Sequence, residues 1–220
     1  MIEDLIIVGA GGSSREIAGA VEDLNRIVET WRLLGFLDDD PSKSGAIVDG
    51  YPVLGTTSAA NRYPTCRFIV GIASARDPWR RKLVVESLRL PRDRYATLVH
   101  PSASISRYAS IGAGTAILQN VVITPDTTIG SHVIISQGVL MAHDQEVADF
   151  VTIAPGAVVA GGVRLHQGVY VGAGSVIIQG VSVGEGALVG IGSVVTNHVP
   201  AGVTVLGNPA RRLPLLRRAR

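Results

Sequence analysis

The chain has 220 residues with 20 basic and 18 acidic side chains, and its net charge of +2 gives no general case for nucleic-acid binding. Mean hydropathy is +0.33, but no stretch approaches the roughly 18 continuous apolar residues of a spanning helix. The acidic N-terminus does not resemble a signal peptide. One cysteine, Cys66, excludes an internal disulfide and a cysteine-based metal site. We expect a soluble cytoplasmic protein.

The charges are distributed unevenly along the chain. Residues 1–98 hold 13 basic and 13 acidic side chains, whereas residues 100–206 hold only seven charges. Aromatic residues make up only 5% of the chain, and glycine occurs 26 times. This change in composition predicts a domain boundary near residue 99.

The first part of the chain alternates short apolar runs with helical patterns. Residues 5–8 are an apolar run that leads into a glycine-rich turn, as a buried parallel strand would. Ser13 or Ser14 is expected to cap the helix that follows. Residues 33–37 and 67–72 predict further strands, and a helix containing Leu83, Val84 and Leu88 follows the latter. The alternation predicts a small parallel sheet covered by helices.

The second part is a repeat with a period of six residues. Counting every sixth residue from Ile105 to Val195 gives sixteen positions, and all of them are aliphatic or methionine. The residue two before each of them is Ala, Ser, Thr or Val, except at Gln145. Such a pattern predicts a solenoid in which each hexad forms one short strand and one corner. Three hexads close a coil of about 18 residues, and stacked coils lie roughly 4.8 Å apart.

The whole chain resembles a known family, the left-handed β-helix acyltransferases of bacteria that place a small nucleotide-binding α/β domain before the helix. Handedness comes from this resemblance alone. The motifs that carry it are residues 7–12 (IVGAGG), 35–39 (GFLDD), 100–103 (HPSA), 143–144 (HD), 154–157 (APGA) and 207–211 (GNPAR).

The resemblance implies three regions and an acetyl-CoA-dependent reaction. Residues 1–99 would be a Rossmann-like nucleotide-sugar domain. Residues 100–206 would form a left-handed parallel β-helix of about five coils. Residues 207–220 would contact coenzyme A and then continue as a basic tail with Arg217, Arg218 and Arg220. Members of the family N-acetylate UDP- or GDP-linked 4-amino-4,6-dideoxy sugars, of the GDP-perosamine type, for surface glycans. They are homotrimers with acetyl-CoA bound between adjacent β-helices.

His143 and Asp144 are the candidate catalytic pair. Three of the seven charges of the solenoid, Asp144, Glu146 and Asp149, follow His143 within six residues, where Gln145 also breaks the repeat. A neutral imidazole with a pKa near the operating pH suits a general base for an attacking amine. An adjacent carboxylate can fix its tautomer and stabilise the imidazolium. Relatives often carry Glu at the second position, so Asp144 has a shorter reach.

The resemblance also assigns the binding residues. Gly161 would supply the N–H for the oxyanion. The acetyl-CoA contacts would be Gly161, Ala173, Ile191, Pro209, Ala210 and Arg211, with Arg212 beside them. The nucleotide-sugar contacts would be Gly11, Gly12, Ser13, Ser14, Asp38 and Asp39, since N–H groups at a helix start suit a phosphate. Relatives carry His-Gly where this chain has Ser13-Ser14.

Other readings of the same residues remain open. O-acetylation of a sialic acid or related sugar is the alternative reaction within the family. An NAD-dependent enzyme would fit the glycine turn, but the third glycine of the fingerprint is a serine. His100, His132, His166 and His198 are not spaced for a metal, and the last three are expected to be solvated at corners or at the solenoid end. Cys66 precedes an apolar strand and is expected in the core.

Overall fold

The computed structural model describes residues 2–213, so the tail arginines Arg217, Arg218 and Arg220 lie outside the described residues. The first part of the chain contains strands β1 (Glu3–Val8), β2 (Trp31–Leu37), β3 (Ile47–Val48), β4 (Tyr51–Gly55) and β5 (Arg67–Val70), and helices α1 (Gly12–Ile27) and α2 (Arg80–Leu88). Three single 3-10 segments, Pro41–Lys43, Thr57–Arg62 and Arg92–Arg94, connect them.

These strands form one sheet in the order β3-β4-β2-β1-β5, parallel except for the short β3–β4 pair. Strand β1 is buried on both faces, as its continuous apolar run predicts. Leu5 and Ile7 pack with α1, while Ile6 and Val8 pack with α2 on the opposite side. The predicted α/β domain with a parallel sheet is therefore confirmed.

One detail of the predicted helix start is wrong. Helix α1 is capped by Gly11, and neither serine accepts a capping hydrogen bond there. Ser14 lies within the first turn, fully buried, and its hydroxyl donates to the carbonyl of Gly71 at 3.0 Å. Ser14 thus joins the start of α1, just after the glycine turn, to the loop after β5, and it packs between these two segments. Cys66 is buried and free, as expected.

From Leu98 onward almost every strand has two residues and is followed by a corner. These strands are β6 (Leu98–Val99), β7 (Ser104–Ile105), β8 (Ser110–Ile111), β9 (Ala116–Ile117), β10 (Val122–Ile123), β11 (Thr128–Ile129), β12 (Ile134–Ile135), β13 (Leu140–Met141), β14 (Glu146–Val147), β15 (Thr152–Ile153), β16 (Val158–Val159), β17 (Arg164–Leu165), β18 (Tyr170–Val171), β19 (Val176–Ile177), β20 (Ser182–Val183), β21 (Leu188–Val189), β22 (Val194–Val195), β23 (Thr204–Leu206) and β24 (Arg211–Arg212).

The short strands stack into three flat faces of a prism. Face 1 contains β6, β9, β12, β15, β18, β21, β23 and β24; face 2 contains β7, β10, β13, β16, β19 and β22; face 3 contains β8, β11, β14, β17 and β20. From β6 to β22 the strands within a face pair in parallel with a register of 18 residues, for example Leu140 with Val158. Three hexads therefore close one coil, as predicted. At the end of face 1, β23 pairs with β21 at 16 residues, and β24 pairs with β23 in antiparallel fashion. The corners form three lines, named here edge 1/2, edge 2/3 and edge 3/1 after the faces that they join.

Each strand directs its second residue into the prism and its first residue outward. Met141, Val159 and Ile177 are fully buried, whereas their neighbours Leu140 and Val158 are exposed. Each corner between β8 and β22 contains a residue with positive φ, most often glycine, because the chain turns sharply there. Asp144 occupies one such position with a φ of 58°, and aspartate tolerates the left-handed region better than most residues.

The α/β domain docks on edge 3/1 of the prism. Arg81 of α2 is 3% exposed, and its Nη2 donates to the carbonyls of Phe150 and Val151 and to Thr152 Oγ1 at 2.7–2.9 Å. Its Nη1 donates to the carbonyl of Ile72 at 2.7 Å. Burial lowers the pKa of this guanidinium to about 9. One side chain therefore joins the loop after β5 to the corner of the β-helix.

Aromatic rings fill the rest of this contact. Trp79 lies on the bare backbones of Gly168 and Gly186, where an added Cβ would stand 2.7 Å and 2.9 Å from its ring atoms. Tyr95 meets His132 edge-on at 4.5 Å between ring centroids. His132 in turn stacks on Phe150 at 5.2 Å. None of the helices within residues 2–213 is long and apolar enough to cross a membrane.

Candidate active site

His143 and Asp144 form a hydrogen-bonded pair at edge 2/3. They lie in the corner between β13 and β14, and His143 Nδ1 stands 2.6 Å from Asp144 Oδ2. A carboxylate only accepts, so Nδ1 carries the proton and Nε2 keeps its lone pair. Both side chains are more than half exposed, and Nε2 makes no hydrogen bond within residues 2–213. Asp144 therefore does reach the ring despite its shorter side chain.

Gly161 lies directly beneath the imidazole, one coil further along the same edge. An added Cβ at this position would stand 2.8 Å from Cε1 and 2.9 Å from Nε2 of His143. The absence of a side chain is what lets the ring settle there. The N–H of Gly161 donates no hydrogen bond to any other described residue. A free N–H thus lies beside a free imidazole nitrogen.

The acidic cluster predicted around His143 is not a cluster in space. Glu146 points outward from face 3 and pairs with Arg164 at 3.4 Å. Asp149 lies at edge 3/1, where its Oδ1 accepts from the N–H of Ser131 at 2.6 Å. Glu146 thus lies on face 3 itself, and the whole of strand β14 stands between Asp149 and the histidine. Of these three carboxylates, only Asp144 forms a hydrogen bond with His143.

The expectation of solvated corner histidines is correct for two and wrong for one. His166 and His198 are exposed. His132 is 8% exposed because Tyr95 of the α/β domain covers it. Burial, with the nearby positive charge of Arg81, lowers its pKa to about 4. His100 is also buried, and it bonds Ser102 and Asp23.

The residues assigned to acetyl-CoA fall into two groups on different edges. Gly161 is on edge 2/3, whereas Ala173 and Ile191 are in corners of edge 1/2. Residues 207–210 reach the same side, since Ala210 donates to the carbonyl of Val194. Ile191 is 75% exposed, and Pro209 and Arg211 are exposed as well. Within one chain, face 2 separates the two groups.

A cavity of about 430 Å³ lies at the carboxyl ends of the parallel strands β1, β2 and β5. The start of α1 opens into it, and N–H groups at a helix start favour an anion. Its lining includes all six residues predicted to bind the nucleotide sugar, Gly11, Gly12, Ser13, Ser14, Asp38 and Asp39. Such clefts are where ligands bind in open parallel sheets.

The carboxylates of the cavity are already engaged within the chain. Asp38 accepts from the N–H of Ala10 at 2.7 Å and from Lys43 Nζ at 2.8 Å. Partial burial would raise its pKa, but the hydrogen bonds from Lys43 and from backbone N–H groups outweigh this and hold the pKa below its usual value. Asp39 accepts from the N–H and the hydroxyl of Thr57 at 2.8 Å and 2.9 Å.

Two cationic residues of the cavity were not found by sequence reasoning. Lys43 and Arg80 both line it. The position of Lys43, five residues after Asp38 in a turn, was the available signal. Arg80 gave none, because it reaches the cavity only once α2 packs on the sheet. No group of three His, Cys, Asp or Glu side chains that could hold a metal occurs within residues 2–213.

Comparison with known proteins supports both halves of this description. Residues 4–88 match the PglD N-terminal domain family, and residues 108–143 match the bacterial transferase hexapeptide family. A curated relative, UDP-N-acetylbacillosamine N-acetyltransferase of Bacillus subtilis, is 34% identical over 119 residues. That alignment spans 53% of this chain and only 52% of the relative.

Two solved structures match over nearly the full length. One is a perosamine N-acetyltransferase variant from Caulobacter crescentus in complex with CoA and GDP-perosamine, 29% identical, with a TM-score of 0.83 and 96% of each chain covered. The other is the acetyltransferase domain of PglB from Neisseria gonorrhoeae in complex with acetyl coenzyme A, 30% identical, with a TM-score of 0.84 and 97% and 100% covered.

The fold and these matches define an acetyltransferase built on a left-handed β-helix. The chain belongs to the hexapeptide-repeat acetyltransferases that carry a PglD-type N-terminal domain.

Proposed function

We propose that the chain transfers the acetyl group of acetyl-CoA to the amino group of a UDP- or GDP-linked 4-amino-4,6-dideoxy sugar, of the GDP-perosamine type, for surface glycan synthesis. The observation that carries the proposal is the exposed His143–Asp144 pair, with its free Nε2 lying over Gly161. The curated and solved relatives named above support the class of acceptor.

His143 acts as general base in a direct transfer. The neutral amine of the sugar attacks the thioester carbonyl, and a nitrogen–carbon bond forms. Nε2 of His143 takes the proton that the nitrogen loses, while Nδ1–H donates to Asp144 and the carboxylate stabilises the imidazolium. The carbon–sulfur bond then breaks, and the imidazolium returns the proton to the coenzyme A thiolate. No acyl-enzyme is needed.

The N–H of Gly161 serves the oxyanion of the tetrahedral intermediate. It lies beside the base and has no other partner among the described residues. A fixed donor at the place where negative charge develops stabilises the transition state more than the ground state. The base and the oxyanion donor then lie in successive coils along the same edge of the prism.

The nucleotide occupies the cavity of the α/β domain. Its phosphates meet the free N–H groups at the start of α1 and the side chains of Lys43 and Arg80. Ser13 lines the cavity, whereas the buried Ser14 hydroxyl is committed to Gly71. The carboxylates of Asp38 and Asp39 hold the loops and offer their remaining lone pairs to the base or ribose.

A homotrimer would complete the site. From β10 to β22 the outward residues of face 2 form an apolar stripe of Val122, Leu140, Val158, Val176 and Val194. The corresponding positions on face 3, such as Thr128, Glu146 and Arg164, are polar. Face 1 is partly covered by the α/β domain, since Ala116 and Ile134 are buried. Face 2 is therefore the surface left to pack against other copies.

Packing through face 2 also explains why the residues assigned to acetyl-CoA lie on two different edges of one chain. The edges that border this face carry Gly161 on one side and Ala173 and Ile191 on the other. When copies meet there, edge 2/3 of one comes to lie near edge 1/2 of the next. Coenzyme A would then bind between subunits, and Arg211 and Arg212 would meet its phosphates.

The experiment is a thiol-release assay with acetyl-CoA and a panel of acceptors. UDP-, GDP- and dTDP-linked 4-amino sugars are compared with free sialic acid and with the same nucleotides lacking a sugar. Turnover with a UDP- or GDP-linked amino sugar is expected, with the acetamide identified by mass spectrometry. Turnover with sialic acid alone would establish the O-acetyltransferase alternative. A crystal soak with the preferred nucleotide would show which base enters the cavity.

A further inference from the structure

Gln145 is a long polar side chain inside the narrow prism. It stands two residues before the inward Val147, at the position that is small in every other hexad between Ile105 and Val195. Its side chain is 1% exposed. Burying a primary amide costs free energy unless its groups find partners. The repeat itself would be satisfied by Ala, Ser, Thr or Val.

The amide of Gln145 bonds two successive carbonyls of the next coil. Its Nε2 donates to Val159 at 2.7 Å and to Ala160 at 3.1 Å. Its Oε1 has no partner within the described residues. The chain thus tolerates a buried, unpaired acceptor, which costs about 1–3 kcal/mol, in order to hold these two carbonyls.

The second carbonyl belongs to the same peptide group as the N–H of Gly161. The Ala160–Gly161 peptide is trans, and in a trans peptide the C=O and N–H bonds point in opposite directions. Because Gln145 holds the carbonyl of Ala160 toward the interior, the N–H of Gly161 must point outward. That is the side on which the His143 ring lies against Gly161.

We propose that Gln145 is a positioning residue, which fixes the orientation of the oxyanion donor Gly161 from inside the prism. The inference rests on the oxyanion role given to Gly161 above. Other corners use a short hydroxyl for a related bond, as Thr115 Oγ1 does to the carbonyl of Gly130 at 2.9 Å. At the equivalent place one coil before Gln145, Thr127 reaches the carbonyl of Ala142 only at 3.4 Å. Gln145 therefore holds its corner more closely than Thr127 holds the corner one coil earlier.

The test replaces Gln145→Met, which keeps most of the volume and removes the donor. We expect kcat to fall roughly tenfold to a hundredfold, since losing an oxyanion donor outright costs about 10²–10³. KM for acetyl-CoA and for the amino sugar should stay within about twofold. The pH profile should keep its wild-type midpoint, because His143 is untouched. A crystal structure of the variant should show the Ala160–Gly161 peptide rotated.

The matched control is Thr115→Val, which removes the related bond at edge 3/1. Its thermal stability should fall comparably while kcat is unchanged, which separates positioning from general loosening. Gln145→Thr should give a kcat between the wild type and Gln145→Met, and it replaces the latter if that variant fails to fold. An unrotated peptide with full kcat in Gln145→Met, or an equal kcat loss in Thr115→Val, would overturn the proposal.

The same measurements distinguish failure of the proposed acetyl transfer from failure of the positioning role of Gln145. If the wild type acetylates no amino sugar, the proposed function fails, and the rotated peptide still tests the brace. If the wild type is active and His143→Ala is inactive while Gln145→Met turns over normally, only the positioning role is lost.

Discussion

The imidazole of His143 rests against the α-carbon of Gly161, closely enough that a methyl group there would stand 2.8 Å from Cε1. The two residues are 18 positions apart in the chain and are neighbours only because one coil contains three hexads. This contact fixes the plane of the proposed base against the backbone that carries the proposed oxyanion donor.

Gly161→Ala tests that contact. The new methyl group must displace the ring, so kcat should fall about tenfold or more, and overpacking should cost on the order of 1 kcal/mol of stability. Steady-state kinetics and thermal unfolding measure the two effects. In a His143→Ala background the same change should cost no stability, because the ring is gone; an unchanged cost there would contradict the steric explanation.

His143→Ala tests the base. Loss of the imidazole should reduce kcat by about 10²–10⁴, the usual contribution of a positioned base. The proposed trimer and the proposed binding of the nucleotide sugar should be unchanged, because the cavity of the α/β domain lies on other elements. Kinetics, light scattering and calorimetric titration give the three readouts. Near-normal turnover would remove His143 from the mechanism.

Asp144→Asn tests the carboxylate without disturbing the corner, since asparagine also tolerates the positive φ of 58°. Without the negative charge the imidazolium is less stabilised, so kcat should fall, by roughly tenfold to a hundredfold. Asp126→Asn is the matched control, as it has the same φ one coil earlier and, within residues 2–213, forms no hydrogen bond with His143. A similar loss in both variants would point to the corner itself.

Leu140→Glu tests the proposed trimer. A charge in the middle of the apolar stripe of face 2 should dissociate the trimer, as measured by light scattering. It should also abolish most turnover, because the two groups of acetyl-CoA residues would be parted. Thr128→Glu, on the outward side of face 3, should leave both properties unchanged. A trimeric Leu140→Glu enzyme would exclude face 2 as the interface.

His132→Phe tests the buried histidine through the pH dependence of stability. The pKa of His132 falls from 6.5 to about 4 in the folded chain, so the unfolded chain takes up a proton first as the pH falls. Stability is therefore lost from about pH 6.5 down to about pH 4. Between pH 7 and pH 5 the wild type should lose about 2 kcal/mol more than the variant.

Phenylalanine suits this position because Phe150 adopts the same positive φ one coil later. Urea unfolding at several pH values measures the effect. The exposed His166→Gln is the control and should keep the wild-type slope. Parallel pH profiles for the wild type and His132→Phe would show that His132 titrates normally in the folded chain.

The repeat was predictable because its period is set by the chain itself. Each inward aliphatic residue stacks on its equivalent 18 residues away, as Met141 does on Val159. The six-residue pattern can therefore be recognised in the sequence without knowledge of the α/β domain. The site was predictable only in part. Closeness in sequence suggested that Glu146 and Asp149 surround His143, but six residues along a solenoid lead to another edge.

The failures elsewhere have a common physical cause. Burial of His132 depends on Tyr95, and burial of Ser14 depends on Gly71; both partners come from distant segments of the chain. No local pattern encodes such contacts. Gln145 could be predicted in part. The sequence shows that it departs from the repeat, but it does not show that its side chain donates to the carbonyls of Val159 and Ala160.

Arg81 joins the two parts of the chain through acceptors that are mostly backbone: the carbonyls of Ile72, Phe150 and Val151, and a single side chain, Thr152. A main-chain carbonyl is present whatever residue occupies the position. At Arg81 the contact therefore depends mostly on the course of the polypeptide, whereas Trp79 depends on the bare backbones of Gly168 and Gly186. Substitutions at Phe150 or Val151 leave the carbonyl acceptors of Arg81 in place, whereas any side chain at Gly168 or Gly186 would displace Trp79 from the same edge.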